Sequence, residues 1–313
     1  MNHRIIARMD IKGPNLVKGI RLEGLRALGR PEQFARHYYE TGADELIFAD
    51  VVASLYGRNS LHEIISRTAR QIHIPLTVAG GIRSVGDINA VLRAGADKVS
   101  LNTAAIARPA FIREAARSFG SSTIVVTIEV SRQPDGRTLA YTDNGREHTG
   151  VEAVGWARQV EELGAGEIVL TSVDRDGTGL GFDLEILRQI TAAVSIPVIA
   201  HGGAGTPAHV AAALLTGGAS AVAVASMIHY GAIAGGALRA GSDGPVERGD
   251  ERGGAAGGDR GEGNFEFLKS GRGFSKVTPL GFPELKAALR VLGVACRPPS
   301  AIAAAPPSEA LHG

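Results

Sequence analysis

The residues best equipped for chemistry in this chain are two carboxylates, Asp10 and Glu129, and two glycine pairs, Gly80–Gly81 and Gly202–Gly203. Asp10 closes an apolar run over residues 4–10, followed by a Gly13–Pro14 break and a long polar loop that carries Lys18. A carboxylate at the end of a buried strand is costly to hold for packing alone, which makes Asp10 a candidate catalytic group. Each glycine pair also ends an apolar run. One strand later come small or hydroxylated residues: Asn102 and Thr103 after the first pair, Ala225 and Ser226 after the second. Backbone N–H groups and hydroxyls placed in this way suit an anion such as phosphate. Two such cradles with carboxylates between them imply a long substrate, phosphorylated at both ends, and general acid–base work at its middle.

Strands must bring these groups together, and the hydrophobic pattern supplies them. Apolar runs over 4–10, 43–50, 74–81, 97–103, 123–130, 166–172, 197–201 and 221–225 alternate with helical spacing over 31–41, 61–72, 85–93, 108–119, 151–163, 184–194 and 207–215. A further helix is expected over 283–292, and residues 134–147 read as a small surface hairpin. Strand–helix alternation means a parallel sheet covered by helices. Eight units in this length favour a closed (β/α)8 TIM barrel, an α/β fold. An internal repeat supports closure: GADELIFADV matches GAGEIVLTSV and IPLTVAGG matches IPVIAHGG, both 122 residues apart. Two half-barrels of four strands explain this. The chemistry of such a barrel sits at the C-terminal strand ends. Those ends also carry Asp50, Thr171 and His201, and the DRDGTG loop after the sixth strand brings Asp176 and Gly177 within reach.

Alternation along the first strand puts Arg4, Ile6, Arg8 and Asp10 on one side. With Asp10 facing the lumen, Arg4 faces it at the opposite end, where Glu45, Lys98 and Glu167 open the second, fourth and sixth strands. These four form a predicted charge ring around the lower opening. Arg8 lies in the lumen two residues below Asp10 and is expected to pair with Glu129 across the barrel. That pairing would keep Glu129 ionised and leave the essential proton transfer to Asp10.

Composition narrows the function classes. The net charge of +1 gives no hint of nucleic acid or an anionic membrane as partner. No apolar run approaches the roughly 18 residues of a membrane span. The sole cysteine, Cys296, excludes an internal disulfide, and a cytoplasmic setting is expected. The nine histidines lack metal-ligand spacing, so neither metal nor cofactor is expected. A single domain is expected over 1–313. Within it, the Gly-rich charged stretch 235–264 reads as a disordered insertion, order resumes near Phe265, and the tail 298–313 is loose.

The motifs RIIARMDIKG…VKG, ADELIFADVVAS, GGIRS, GADKVSLNTAA, GAGEIVLTSVDRDGTG, IPVIAHGGAG and ASMIHY together resemble the cyclase-subunit family of imidazole glycerol phosphate synthases, of histidine biosynthesis. The resemblance covers residues 4–230 and resumes around 283–297. It implies a bisphosphate ribulosyl-formimino substrate, cleaved and cyclised with ammonia to imidazole glycerol phosphate and an aminoimidazole carboxamide ribotide. It also implies a separate glutaminase subunit docked at the N-terminal face of the barrel, with the ring of Arg4, Glu45, Lys98 and Glu167 as the ammonia gate. Asp10 would be the main general acid–base and Lys18 a loop ligand, and Glu129 stands where the family has a second aspartate. Arg8 occupies a position that is normally small, His201 one that is usually serine, and KGPN replaces the common KDGR. These departures leave two alternatives open on sequence alone: a paralogue that passes ammonia to another acceptor, such as a surface-polysaccharide sugar, and a non-catalytic barrel that only docks a glutaminase.

Overall fold

The structure is a computed structural model describing residues 2–53, 61–238 and 276–298. In chain order its first half contains β1 (Arg4–Lys12), β2 (Asn15–Ile20), β3 (Glu23–Gly29), α1 (Pro31–Thr41), β4 (Glu45–Asp50), α2 (His62–Ala69), β5 (Leu76–Ala79), α3 (Val85–Arg93), β6 (Lys98–Leu101), α4 (Thr103–Ala107) and α5 (Ala110–Phe119). There follow β7 (Ile124–Arg132), β8 (Thr138–Thr142), β9 (Glu147–Glu152), α6 (Ala153–Glu162), β10 (Glu167–Ser172), α7 (Leu184–Ala193), β11 (Val198–His201), α8 (Pro207–Leu215), β12 (Ala221–Val224), α9 (Ser226–Ala234) and α10 (Phe282–Val291). Strands β1, β4, β5, β6, β7, β10, β11 and β12 are parallel neighbours in that order, and β12 pairs back onto β1. This is the expected (β/α)8 barrel.

The alternation read from the sequence decides which residues face which way. Ile5, Ala7, Met9 and Ile11 of β1 join the core between strands and helices, whereas Ile6 joins Ile47, Val125, Val169, Ile199, Ala221 and Ala223 in a separate apolar cluster inside the barrel. Helix starts follow local rules. Ser84 and Asp87 cap α3 reciprocally, and Thr206 caps α8 just before Pro207.

The half-barrel repeat is visible in the geometry. Leu46 N–H donates to Pro75 O at 2.9 Å, and its counterpart Ile168 N–H donates to Pro197 O at 3.0 Å. Gly80 adopts φ +100° and lies so close to the Asp50 carbonyl that an added Cβ would sit 2.5 Å from it. Gly202 adopts φ +93° against the Ser172 carbonyl, at 2.6 Å. Only glycine fits either position.

Four expectations about local structure need correction. The segment carrying Lys18 is an antiparallel hairpin, β2–β3, rather than a polar loop, because Leu16, Val17 and Lys18 find burial against the mouth. The hairpin expected on the surface is β8–β9, and its tip folds over the barrel mouth. The helix expected over 108–119 begins at Ala110, after Pro109, and a separate short helix, α4, precedes it over Thr103–Ala107, where the end of a strand was expected. Residues 235–238 form an ordered turn, with Leu238 N–H bonded to Ala232 O at 3.1 Å. The rest of the expected insertion, the resumption near Phe265 and the tail from 299 onward lie outside the described residues.

Helix α10 is fastened to the barrel by a charge pair whose lysine is fully buried. Lys286, fully buried, donates to Asp44 Oδ1 at 2.8 Å, and Asp44 Oδ2 accepts from Ile5 N–H at 2.7 Å. Removing one partner strands the other without water, at a cost of about 3–5 kcal/mol. Asp44→Ala is therefore expected to lower the urea midpoint by that equivalent, and Asp44→Ala/Lys286→Met to recover much of the loss. Equilibrium unfolding of the two variants checks this.

Candidate active site

The mouth is organised by a chain of buried charges. Arg8 Nε donates to Asp10 Oδ1 at 3.0 Å, Lys18 Nζ lies 3.6 Å from Asp10 Oδ2, and Lys18 Nζ donates to Asp176 Oδ2 at 2.7 Å. All four side chains are buried. Two cations and two anions make the chain neutral, the condition under which such charges are tolerated away from water. Burial alone would raise the Asp10 carboxyl, but Arg8 and then Lys18 outweigh it and hold Asp10 below the usual carboxylate range. Arg8 Nη1 also donates to Thr171 Oγ1 at 3.2 Å, and the same hydroxyl lies 3.2 Å from His201 Nδ1. His201 Nε2 is 3.7 Å from Asp176 Oδ1. Burial, then Arg8, pushes the His201 pKa down, so the ring is neutral.

This overturns the expected pairing of Arg8 with Glu129. The arginine runs up its own strand to Asp10 and makes no ion pair with Glu129. Glu129 instead accepts from Gly145 N–H, at the tip of the β8–β9 hairpin, at 2.8 Å. Burial pushes its pKa up to about 7, against the opposing influence of Arg8 and of the Gly145 hydrogen bond. Asp10 is therefore the fixed anion, and Glu129 is the carboxyl that can exchange a proton near neutral pH.

Two of the cavities that border the charge chain contain the glycine pairs. The larger, about 540 Å³, is lined by Asp50, Gly80, Gly81, Asn102, Thr103 and Glu129, together with Arg8. The smaller, about 10 Å³, is lined by Lys18, Asp176, Gly177, His201, Gly202, Gly203, Ala225 and Ser226. The sequence-predicted cradles thus occupy opposite sides of the mouth and differ in openness. The second is filled by Lys18, Asp176 and His201, which have no charged counterparts in the first. Thr171 bridges the two sides, and Asp10, sealed behind Arg8 and Lys18, lines neither cavity.

Several residues at the mouth carried no signal in the sequence. Arg83 and Arg108 line the large cavity, as do Asp143 and Asn144 of the β8–β9 hairpin. Arg83 follows the first glycine pair within GGIRS, so its proximity was readable in principle. The hairpin tip was not, because its position depends on tertiary bonds: Asp143 N–H to Thr103 Oγ1 at 3.3 Å and Asn144 Nδ2 to Leu22 O at 3.2 Å.

At the other end of the lumen the four predicted charges close into a ring. Arg4 pairs with Glu45 at 2.7 Å and with Glu167, and Lys98 lies 3.4 Å from Glu45 and 3.2 Å from Glu167. The apolar cluster of Ile6, Ile47, Val125, Val169 and Ile199 separates this ring from Arg8 and the mouth.

The environment of Glu129 has a measurable consequence. A carboxyl with a folded-state pKa above its unfolded value makes the native state the stronger proton binder. Its contribution is complete below about 4.5 and is lost as pH rises through about 7. Between pH ~5 and ~8, wild type should lose about 3 kcal/mol more stability than Glu129→Gln. Urea unfolding of both proteins at the two pH values measures the difference.

Comparison with known proteins gives the family. Residues 4–234 match the model of the family described as histidine biosynthesis protein. The chain is 59% identical over 204 residues to the imidazole glycerol phosphate synthase subunit HisF of Legionella pneumophila, covering 65% of this chain and 96% of that protein. It is 48% identical over 240 residues to the subunit of that name from Myxococcus xanthus, covering 77% and 94% of the two chains. Against that of Thermobifida fusca the identity is 49% over 235 residues, covering 74% and 91%. A barrel whose two halves repeat the same glycine cradle, matched over most of its described length by this family and its members, belongs to the histidine biosynthesis protein family.

Proposed function

We propose that the chain is the cyclase subunit of an imidazole glycerol phosphate synthase, a lyase that uses ammonia to cleave and cyclise a bisphosphate ribulosyl-formimino aminoimidazole carboxamide ribotide. The products are imidazole glycerol phosphate and aminoimidazole carboxamide ribotide. The observation that carries this reading is the pair of repeat-related glycine cradles on either side of one mouth, with Glu129 and the Arg8–Asp10–Lys18 cluster between them. A substrate with a phosphate at each end spans that arrangement. Asn102 and Thr103 serve the first phosphate beside Gly80 and Gly81, and Ala225 and Ser226 serve the second beside Gly202 and Gly203. Glu129 carries the transferable proton, while Asp10 remains ionised. The likeness to subunits named HisF supports the reaction assigned.

The lower face completes the proposal. A glutaminase subunit docks there and delivers ammonia through the ring of Arg4, Glu45, Lys98 and Glu167. The apolar layer above the ring supports passage as neutral ammonia, because an ammonium ion would lose its hydration among Ile6, Ile47, Val125 and Val169. Among the described residues no helix is long and apolar enough to cross a membrane, and we place the enzyme in the cytoplasm with the pathway it serves.

Growth of a histidine auxotroph lacking the cyclase, restored by this chain, tests the activity; failure with folded protein removes the proposal. Glu129→Gln is expected to lower ammonium-driven turnover by at least about a hundredfold, within the usual range for losing a general acid. A ring variant, Glu167→Gln, is expected to lower glutamine-driven turnover in the complex far more than ammonium-driven turnover. The ratio of the two rates in one preparation reads this out.

A further inference from the structure

Arg8 presents one edge of its guanidinium to the protein and keeps another for the cavity. Nε is bonded to Asp10 and Nη1 to Thr171, whereas Nη2 makes no hydrogen bond to any described residue and is not among the buried atoms sealed off without a partner. Arg8 lines the large cavity together with Glu129, and Asp10 lines neither cavity. Asp10 is fully enclosed by Arg8 and Lys18, with Asp176 and His201 beyond them. Glu129 faces Arg8 across the cavity, with Asn102 of the adjoining strand end and Gly145 of the hairpin tip against it. The group that reaches a ligand from β1 is therefore the guanidinium, and the carboxylate behind it fixes its orientation.

We propose that Arg8 is a substrate-contacting residue whose guanidinium binds the carbonyl oxygen of an open-chain ketose phosphate, and that Asp10 acts through it as a positioning residue. This deepens the proposed reaction and rests on it for the identity of the nucleophile. A ribulosyl group is a ketose, so its carbonyl is the electrophile for ammonia. As the C–N bond forms, the carbonyl π pair moves onto oxygen, where the guanidinium stabilises the developing charge in a site with little water. Protonated Glu129 gives its proton to that oxygen. An N–H proton of the added ammonia returns to the carboxylate, leaving a neutral carbinolamine. Asp10 forms no bond to the reacting atoms in this scheme. It holds the planar fork of Arg8 in register, a task for which lysine is no substitute.

The test uses ribulose 5-phosphate, which has a free ketone because its 5-hydroxyl is blocked. Calorimetric binding is compared for wild type, Arg8→Met, Arg8→Lys, Asp10→Asn and Arg8→Met/Asp10→Asn, with ammonium-driven turnover measured in parallel. Arg8→Met is expected to weaken binding at least about tenfold and to lower kcat about a hundredfold or more. Asp10→Asn should give a loss of similar size, and the double variant should be no worse than Arg8→Met, because groups acting as a unit are not additive. In Asp10→Asn the limb of the kcat/KM profile near pH 7 should persist, since it belongs to Glu129. Wild-type affinity in Arg8→Met, multiplicative losses in the double variant, or no affinity of the wild type for the probe would each overturn the proposal. Where Arg8→Met does not fold, Arg8→Lys is decisive: an intermediate loss supports the contact, and full affinity removes it. Binding that follows this pattern in a protein without ammonium turnover would refute the assigned reaction while leaving the Arg8 contact standing.

Discussion

The mouth depends on one interaction, the buried chain Arg8–Asp10–Lys18–Asp176. Each charge there would be intolerable alone, and each is neutralised by a neighbour: Arg8 by Asp10 on its own strand β1, and Asp10 and Asp176 by Lys18, which ties β1 and the loop after β10 to the β2–β3 hairpin. The hairpin is held down by Lys18, and the loop after β10 by Asp176. That loop is pinned again where Arg21 N–H donates to Asp176 O at 2.8 Å. Because the chain sums to zero, its cations are already committed, and Glu129, which lines the large cavity, forms no ion pair with them. Desolvation then decides its state and leaves it titratable near neutral pH. The division between a fixed anion and a mobile proton thus follows from charge counting in a confined space.

The barrel was legible because its signals are local and repeated. Alternation in β1 correctly separated Ile6 from Ile5 and Ala7, and the repeat at 122 residues foretold the matching approaches of Gly80 and Gly202. The partner of Arg8 was not legible. Alternation says which face a side chain occupies but not whether a long one runs across the lumen or along its own strand, and here the nearer carboxylate, two residues away, captured it. Glu129 was then free to meet Gly145, whose position depends on the hairpin tip and so on contacts far apart in sequence. The β2–β3 hairpin was missed for a related reason. Its strands are short and polar at their ends, and only the mouth beneath them makes Lys18 a buried residue.

The two halves share a backbone plan but not its decoration. Asn102 and Ala225 adopt the same unusual backbone conformation at equivalent strand ends, with φ −137°, ψ −88° and φ −131°, ψ −79°. The glycine approaches also coincide. Lys18, Asp176 and His201 crowd only the second cradle, while Arg83 and Arg108 border only the first. A frame set by main-chain geometry can therefore be kept twice while the side chains around it give each end its own character.

The repeat extends to the floor of the barrel, where Glu45 and Glu167 are equivalent residues and Arg4 and Lys98 are not. With two charges of each sign in alternation, the ring has no monopole, and its leading field along the axis is of higher order and decays within a few ångströms. It offers no electrostatic pull on an ion of either sign approaching from solvent. An uncharged, freely reorienting dipole meets no long-range electrostatic barrier there, and the apolar layer of Ile6, Ile47 and Val169 lies above it. The floor is thus a field-neutral collar with an apolar layer behind it.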